Sequence, residues 1–140
     1  MSIIKQASGL FDEVVVVLAR NTNKRRTTDA EEMRDAMEAV FTSEGIDNCR
    51  AVILTDGLVA DFCELCDARY LVRGLRNVGD YLYEENIAKI NQEINPNLRT
   101  IYLRASNDVI SSSMIRELCE YGRDISRFVP EGIDKTLERR

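Results

Sequence analysis

Short runs of β-branched and aliphatic residues alternate along the chain with longer stretches in which apolar residues recur every three or four positions. Residues 13–19, Glu-Val-Val-Val-Val-Leu-Ala, are almost continuously apolar, the pattern of a strand buried on both faces. Arg50-Ala-Val-Ile-Leu54, Arg69-Tyr-Leu-Val72 and residues 98–103 read as three further strands. Helical spacing predicts a helix over 1–9 that turns Ile3, Ile4 and Ala7 inward. A second helix is expected from 28 or 29 to about 43, capped by Thr28 or Asp29, with Met33, Met37 and Val40 on one face. Others are predicted over 57–66, over 78–95 up to Pro96, and over 111–121, with serines at its start and Gly122 at its end. Pro130 opens a last short helix in this reading. Strand and helix alternate throughout, so the predicted class is α/β with a doubly wound, Rossmann-like parallel sheet. The opening helix is odd in that scheme, because it reads as the crossover of a βαβ unit whose first strand is missing.

The 140 residues suit one domain over 1–140, and 44% apolar with 31% charged residues is the balance of a globule rather than a disordered chain. A net charge of −5 speaks against non-specific nucleic-acid binding, which needs a basic face. No apolar run is long enough to cross a membrane and no signal peptide opens the chain, so the cytoplasm is expected. Cys63 and Cys66 form a C-x-x-C. They fall on a predicted helix, where small apolar thiols pack well, and the chain has no histidine to complete a zinc site. No metal ligands are expected.

Three segments at the predicted carboxyl edge of the sheet, where such folds bind ligands, are rich in cations or donors. Arg73-Gly-Leu-Arg76 ends the third strand; its arginines can grip phosphate, or can pair with acids such as Asp80 or Glu84, and position alone does not separate the two. Ile110-Ser-Ser-Ser-Met-Ile-Arg116 puts three hydroxyls at a helix start, which suits an anion better than the single serine that capping requires. Asn21-Thr-Asn-Lys-Arg-Arg26 is a basic turn after the first strand. Together they point to a ligand bearing phosphates. There is no Walker-type phosphate loop and no histidine to activate a nucleophile. Glu84 and Glu85 are the best acidic pair near this edge, but adjacent residues do not share a helix face.

The strings Phe11-Asp-Glu-Val-Val-Val, Asn23-Lys24, Asp56-Gly-Leu58, Val72-Arg-Gly-Leu-Arg-Asn-Val-Gly-Asp80, Tyr83-Glu84, residues 91–96, Ile110-Ser-Ser-Ser113 and the ending Gly122-Arg-Asp-Ile-Ser-Arg-Phe-Val-Pro130 resemble phosphopantetheine adenylyltransferases in order and spacing. The resemblance implies a nucleotidyltransferase fold and adenylyl transfer from ATP to 4′-phosphopantetheine, giving dephospho-coenzyme A and pyrophosphate with Mg²⁺ assisting. It implies that Lys24 and Arg73 hold the phosphate of phosphopantetheine, and that Leu58 and Val59 line its arm. It further implies that Gly74, Leu75, Arg76 and Glu84 meet ATP, and that Ile110, Ser111, Ser112 and Ser113 bind its phosphates with Arg116 nearby. Lys24 and Arg76 are the implied catalytic cations. A homo-oligomer, a hexamer in that family, and coenzyme A as a possible further ligand are also implied.

Three departures stand out. The family opens with a strand and a T-x-G-H motif whose histidine donates to the α-phosphate, whereas this sequence starts where that histidine would end and contains none. Losing such a donor costs about 10²- to 10³-fold in rate. Asn107-Asp-Val109 stands where aromatics usually precede I-S-S-S, and Thr22 replaces a common proline. The first departure carries a structural expectation: a gap between the strand at 14–18 and the strand at 70–72, which must be filled, close up or split the sheet. Two other readings stay open: a non-catalytic nucleotide- or coenzyme A-binding module of the same fold, and another adenylyl- or cytidylyltransferase of the superfamily.

Overall fold

A computed structural model describes residues 1–19, 30–105 and 112–128. The chain forms two compact units, 1–106 and 107–140. In the first, the described elements run α1 (Ser2–Leu10), β1 (Val14–Ala19), α2 (Ala30–Ser43), β2 (Cys49–Leu54), α3 (Val59–Leu65), β3 (Tyr70–Leu75), α4 (Val78–Ile94) and β4 (Arg99–Arg104). The second contains α5 (Ser112–Glu120). Among the described residues each apolar run became a strand and each stretch of helical spacing a helix, within a residue or two at most ends; the basic turn at 21–26, the Thr28 or Asp29 cap and the short helix expected at Pro130 lie outside them.

Among the described residues all strand pairs are parallel. Val14 to Ala19 face Cys49 to Leu54 in register, and Tyr70 to Leu75 face Arg99 to Arg104. Among the described residues these are two separate two-stranded sheets, β1–β2 and β3–β4. The expected gap is therefore present, and the sheet is split at that point. Each pair is a βαβ unit joined by a crossover helix, α2 in one and α4 in the other.

Helix α1 spans the split. It contacts β1, β3 and β4, and Ala7 is fully buried beneath it. Its start lies at the carboxyl end of the second sheet: Gln6 donates to the Arg104 carbonyl at 2.8 Å, and the Ile3 side chain lies directly over Gly74. Its end lies at the other edge, where Phe11 and Tyr70 stack with ring centroids 5.7 Å apart. The Asn48 amide fastens that end by donating to the Ser8 and Phe11 carbonyls. Phe11 is three residues before β1 begins and Tyr70 begins β3, so β1 and β3 run in the same direction. All four carboxyl ends therefore lie along one edge.

The packed centre beside the second sheet is Ala60, Cys63 and Leu98, with Val59, Ala68 and Leu71 against it. Asn95 is buried there, donating to the Ala60 carbonyl and accepting from the Asn97 amide. Such a pairing is required of a buried amide. Cys63 is one of the small core side chains that a helical thiol makes, and its burial pushes the thiol pKa up. All four cysteines are free. In the second unit, α5 ends in a left-handed Gly122 at φ 63° with Gly122 and Arg123 amides donating back to Cys119 and Leu118 carbonyls, as the sequence predicts.

Candidate active site

Strand β3 is longer than the sequence suggests. Arg73, Gly74 and Leu75 lie past the predicted run of 69–72, at the strand's expected end, but they continue it, paired with Tyr102, Leu103 and Arg104. The reason lies in two partners far along the chain. Alternation along β3 puts Leu71, Arg73 and Leu75 on the face covered by α4, and Tyr70, Val72 and Gly74 on the face covered by α1. On the first face, Arg73 donates from Nε and Nη2 to both carboxylate oxygens of Glu84, at 2.8 and 2.7 Å. A cation can thus sit in a strand because α4 brings a nearly buried carboxylate to it. This two-bonded contact raises the Arg73 pKa despite burial, so the guanidinium stays charged throughout the accessible range. On the second face, Gly74 has no Cβ because Ile3 already occupies that space: a Cβ built there falls 2.8 Å from Ile3 Cγ1.

Arg76 follows at the carboxyl edge, where the chain turns into α4. Asn77 caps the helix by accepting from the Asp80 amide at 2.9 Å. Asp80 in turn accepts from the Arg76 amide at 3.1 Å and from its Nε at 3.3 Å. The Arg76 side chain is 73% exposed, so its ion pair is weak and open to exchange for a ligand anion. Asp80 and Glu84 are one helical turn apart on α4, and each holds one arginine of the Arg73-Gly-Leu-Arg76 string. The structure thus shows both arginines paired with the acids that the sequence offers as alternatives to phosphate.

Leu58 and Val59 start α3, just after the turn at Asp56 and Gly57, where Asp56 Oδ1 accepts from the Gly57 amide and Gly57 takes φ 97°. Leu58 is exposed and Val59 half-buried. Val59 and Arg73 line the same groove, about 580 Å³, between the two sheets. A second cavity of about 450 Å³ opens at the opposite edge around Arg69, Asn97 and Arg99, away from these residues.

Ser112, Ser113 and Arg116 lie on α5 of the second unit, with Arg116 exposed. Lys24, Ile110 and Ser111 fall outside the described residues. The structure therefore brings together Arg73, Gly74, Leu75, Arg76 and Glu84, with Val59 on the same groove.

Sequence reasoning missed one constellation here. Tyr102 is the register partner of Arg73, donates to Glu85 at 2.9 Å and meets Tyr81 edge-on at 5.7 Å. Burial first, and then the bond to Glu85, pushes the Tyr102 pKa up to about 12. Glu84 and Glu85 thus diverge as adjacent helix positions must, one to Arg73 and the other to Tyr102. The only sequence signal for the second contact was the tyrosine near the centre of the fourth strand.

Among the described residues no group of three or more cysteines and carboxylates can hold a metal ion.

The family model of cytidylyltransferase-like proteins matches residues 1–118. A phosphopantetheine adenylyltransferase of Lacticaseibacillus casei is 36% identical over 136 residues, covering 96% of this chain and 80% of that protein. One from Staphylococcus carnosus is 36% identical over 142 residues, all of this chain and 86% of that protein. One from Vesicomyosocius okutanii is 34% identical over 142 residues, all of this chain and 88% of that protein. An α/β unit with parallel strands, the Arg73–Glu84 and Arg76–Asp80 pairs at its carboxyl edge, and this likeness over nearly the whole sequence agree: the chain belongs to the cytidylyltransferase-like family and, within it, to the phosphopantetheine adenylyltransferases.

Proposed function

We propose that the carboxyl edge of the first unit serves adenylyl transfer from ATP to 4′-phosphopantetheine. A phosphate oxygen of phosphopantetheine forms a bond to the α-phosphorus of ATP, and the bond to the β-phosphate bridging oxygen breaks. Pyrophosphate leaves with that electron pair, and dephospho-coenzyme A remains. Such a step needs no covalent enzyme intermediate, only positioned cations and donors. The observation that carries the reading is the Arg73 to Glu84 segment, whose two arginines are held at the ligand edge by acids one helical turn apart.

Arg73 is the fixed member. Its Nε and Nη2 are committed to Glu84, and Nη1 is left for the phosphate of phosphopantetheine, with Lys24 as its companion. Arg76 is the mobile member, released from Asp80 to meet the phosphates of ATP. Gly74 and Leu75 bring backbone near the nucleotide, and Glu84 acts on it through Arg73 as well as directly. Leu58 and Val59 flank the pantetheine arm. Ile110, Ser111, Ser112 and Ser113 supply donors to the triphosphate, with Arg116 beside them, and Mg²⁺ arrives with ATP as part of the substrate. The reading places the protein in the cytoplasm and makes it a homo-oligomer, a hexamer, with coenzyme A as a further ligand. The exposed Val78, Leu82 and Ile90 on α4 support self-association.

A second reading is favoured by one observation: the 140 residues contain no histidine. The chain would then bind nucleotide and coenzyme without turnover. Calorimetric titration with ATP and with 4′-phosphopantetheine, followed by a pyrophosphate-release assay, separates the two. The proposal expects binding of both ligands, with turnover about 10²- to 10³-fold below that of a histidine-bearing relative. Binding without release of pyrophosphate establishes the module. Binding of neither ligand, or a preference for CTP or nicotinamide mononucleotide, overturns the proposal.

A further inference from the structure

Helix α4 meets the second sheet along two stripes of side chains. Asp80 and Glu84, one turn apart, take Arg76 and Arg73 at the end of β3. Tyr81 and Glu85, also one turn apart, take Tyr102 of β4. The Glu85 carboxylate accepts from the Tyr102 hydroxyl at 2.9 Å, and Tyr81 meets its ring edge-on at 5.7 Å. Among the described residues Tyr102 is the only hydrogen-bond partner of the Glu85 side chain. Arg73 and Tyr102 are register partners, so the two anchoring points lie side by side on adjacent strands. Successive helix positions are about 100° apart around the axis. A helix held at Glu84 alone can swing about that contact. Held at Glu84 and Glu85, on strands about 4.8 Å apart, it has one rotational setting.

We propose that Tyr102 is a positioning residue of the candidate site: through Glu85 it fixes the rotation of α4, and with it the direction in which Arg73 presents its remaining N–H groups to a ligand phosphate. The proposal rests on the reading of Arg73 as a phosphate-holding cation. Glu84 takes both Nε and Nη2 of Arg73, so the guanidinium plane follows that carboxylate wherever the helix carries it. A small turn of α4 therefore tilts Nη1 away from the phosphate, and misplacement of a binding group weakens both binding and reaction. Asp80 rides on the same helix, so its hold on Arg76 shifts with it. The Tyr102 hydroxyl keeps its proton up to about pH 12, so it can donate to Glu85 under all working conditions.

The test compares four variants of the 140-residue chain. Tyr102→Phe keeps the ring and its contact with Tyr81 but loses the hydroxyl. Glu85→Leu removes the acceptor, and Glu85→Gln keeps one. Phe41→Leu loosens the buried face of α2, beside the first sheet, and controls for general loss of stability. The readout is the NMR signal of the Arg73 Nε–H, which reports the bond to Glu84 without any ligand. Tyr102→Phe and Glu85→Leu should shift that signal and speed its exchange with water about three- to tenfold, the worth of one hydrogen bond. Glu85→Gln and Phe41→Leu should leave it as in the unsubstituted chain. By calorimetry the Kd for 4′-phosphopantetheine should rise by the same factor in the first two variants alone. An Arg73 signal unmoved in Tyr102→Phe and Glu85→Leu, or disturbed equally by Phe41→Leu, overturns the proposal. A disturbed signal beside an unchanged Kd overturns it as well. If Tyr102→Phe does not fold, the contrast between Glu85→Leu and Glu85→Gln decides. An unsubstituted chain that binds no 4′-phosphopantetheine defeats the functional reading, while the Arg73 signal still decides whether Tyr102 sets that side chain.

Discussion

The Arg73–Glu84 pair allows a quantitative test of what holds the candidate site in shape. Two charge-assisted hydrogen bonds, at 2.8 and 2.7 Å, join a carboxylate whose side chain is 10% exposed to a guanidinium that is 46% exposed. Bonds to charged groups contribute about 1.5–3 kcal/mol each, which bounds the pair at about 3–6 kcal/mol before opposing effects. Desolvation of Glu84 subtracts from this, and solvent over nearly half of Arg73 screens the attraction. A coupling of about 1.5–3 kcal/mol remains. The perturbations are Arg73→Ala, Glu84→Ala and both together, in a double-mutant cycle. Urea unfolding followed by circular dichroism at one fixed salt concentration gives the four stabilities. Each single variant should lose about 2–4 kcal/mol, because each leaves a partner stranded, and the double variant should lose clearly less than their sum. A coupling below about 0.5 kcal/mol would refute the claim that this pair is what allows a cation within β3. The Arg76–Asp80 pair supplies the internal control: its cycle should give less than about 1 kcal/mol, since its arginine is largely in water.

Gly74→Ala should destabilise the fold by about 1–3 kcal/mol, because its Cβ meets the stiff Ile3 side chain. Ile3→Ala in the same molecule should recover part of that loss, and strict additivity of the two in denaturant unfolding would sink the explanation. Tyr102 should ionise near pH 12, giving a late step in the 295 nm absorbance of the folded protein. The folded state holds that proton more tightly than the unfolded chain, so the contribution is complete below about pH 10 and is lost as pH rises toward 12. Tyr102→Phe should abolish both the late step and that segment of the stability curve. Asn95→Ala should cost about 1–3 kcal/mol in thermal or urea unfolding, since it strands the Ala60 carbonyl and the Asn97 amide in a buried place. A loss within 0.3 kcal/mol would show that water replaces the amide without penalty.

The parts of this architecture that depend on neighbours in sequence were legible in the residues. Continuous valines made β1 plain, and the spacing of Ile3, Ile4 and Ala7 disclosed which face of α1 is covered. Gly122 marked the end of α5. The split of the described strands into two sheets was also foreseeable, because an opening helix that reads as a crossover leaves the two βαβ units unjoined. What could not be read locally was the true length of β3. Arginine and glycine are turn and loop signals by propensity, and only Glu84, 11 residues on, and Ile3, on a helix near the start, make Arg73 and Gly74 strand residues. The same limit hid Tyr102 and Glu85. Their contact depends on the register of β3 with β4 and on the rotation of α4, which no window of sequence contains. The arginines of the Arg73-Gly-Leu-Arg76 string proved to be fastened to acids. That does not oppose a phosphate role, since one remains partly uncommitted and the other is easily released.

Helix α1 also carries a consequence for synthesis. It precedes its contact at Arg104 by 98 residues. At translation speeds of about 5–20 residues per second, it leaves the ribosome about 5–20 s before that carbonyl exists to receive Gln6. Ile3, Ile4 and Ala7 have β1 to lie against early on, but nothing of β3 until residue 75 has emerged and nothing of β4 until the end of the interval. The nascent chain therefore carries an apolar helix face in waiting, and newly made molecules are at their most vulnerable to chaperone capture or to one another before residue 104 has emerged.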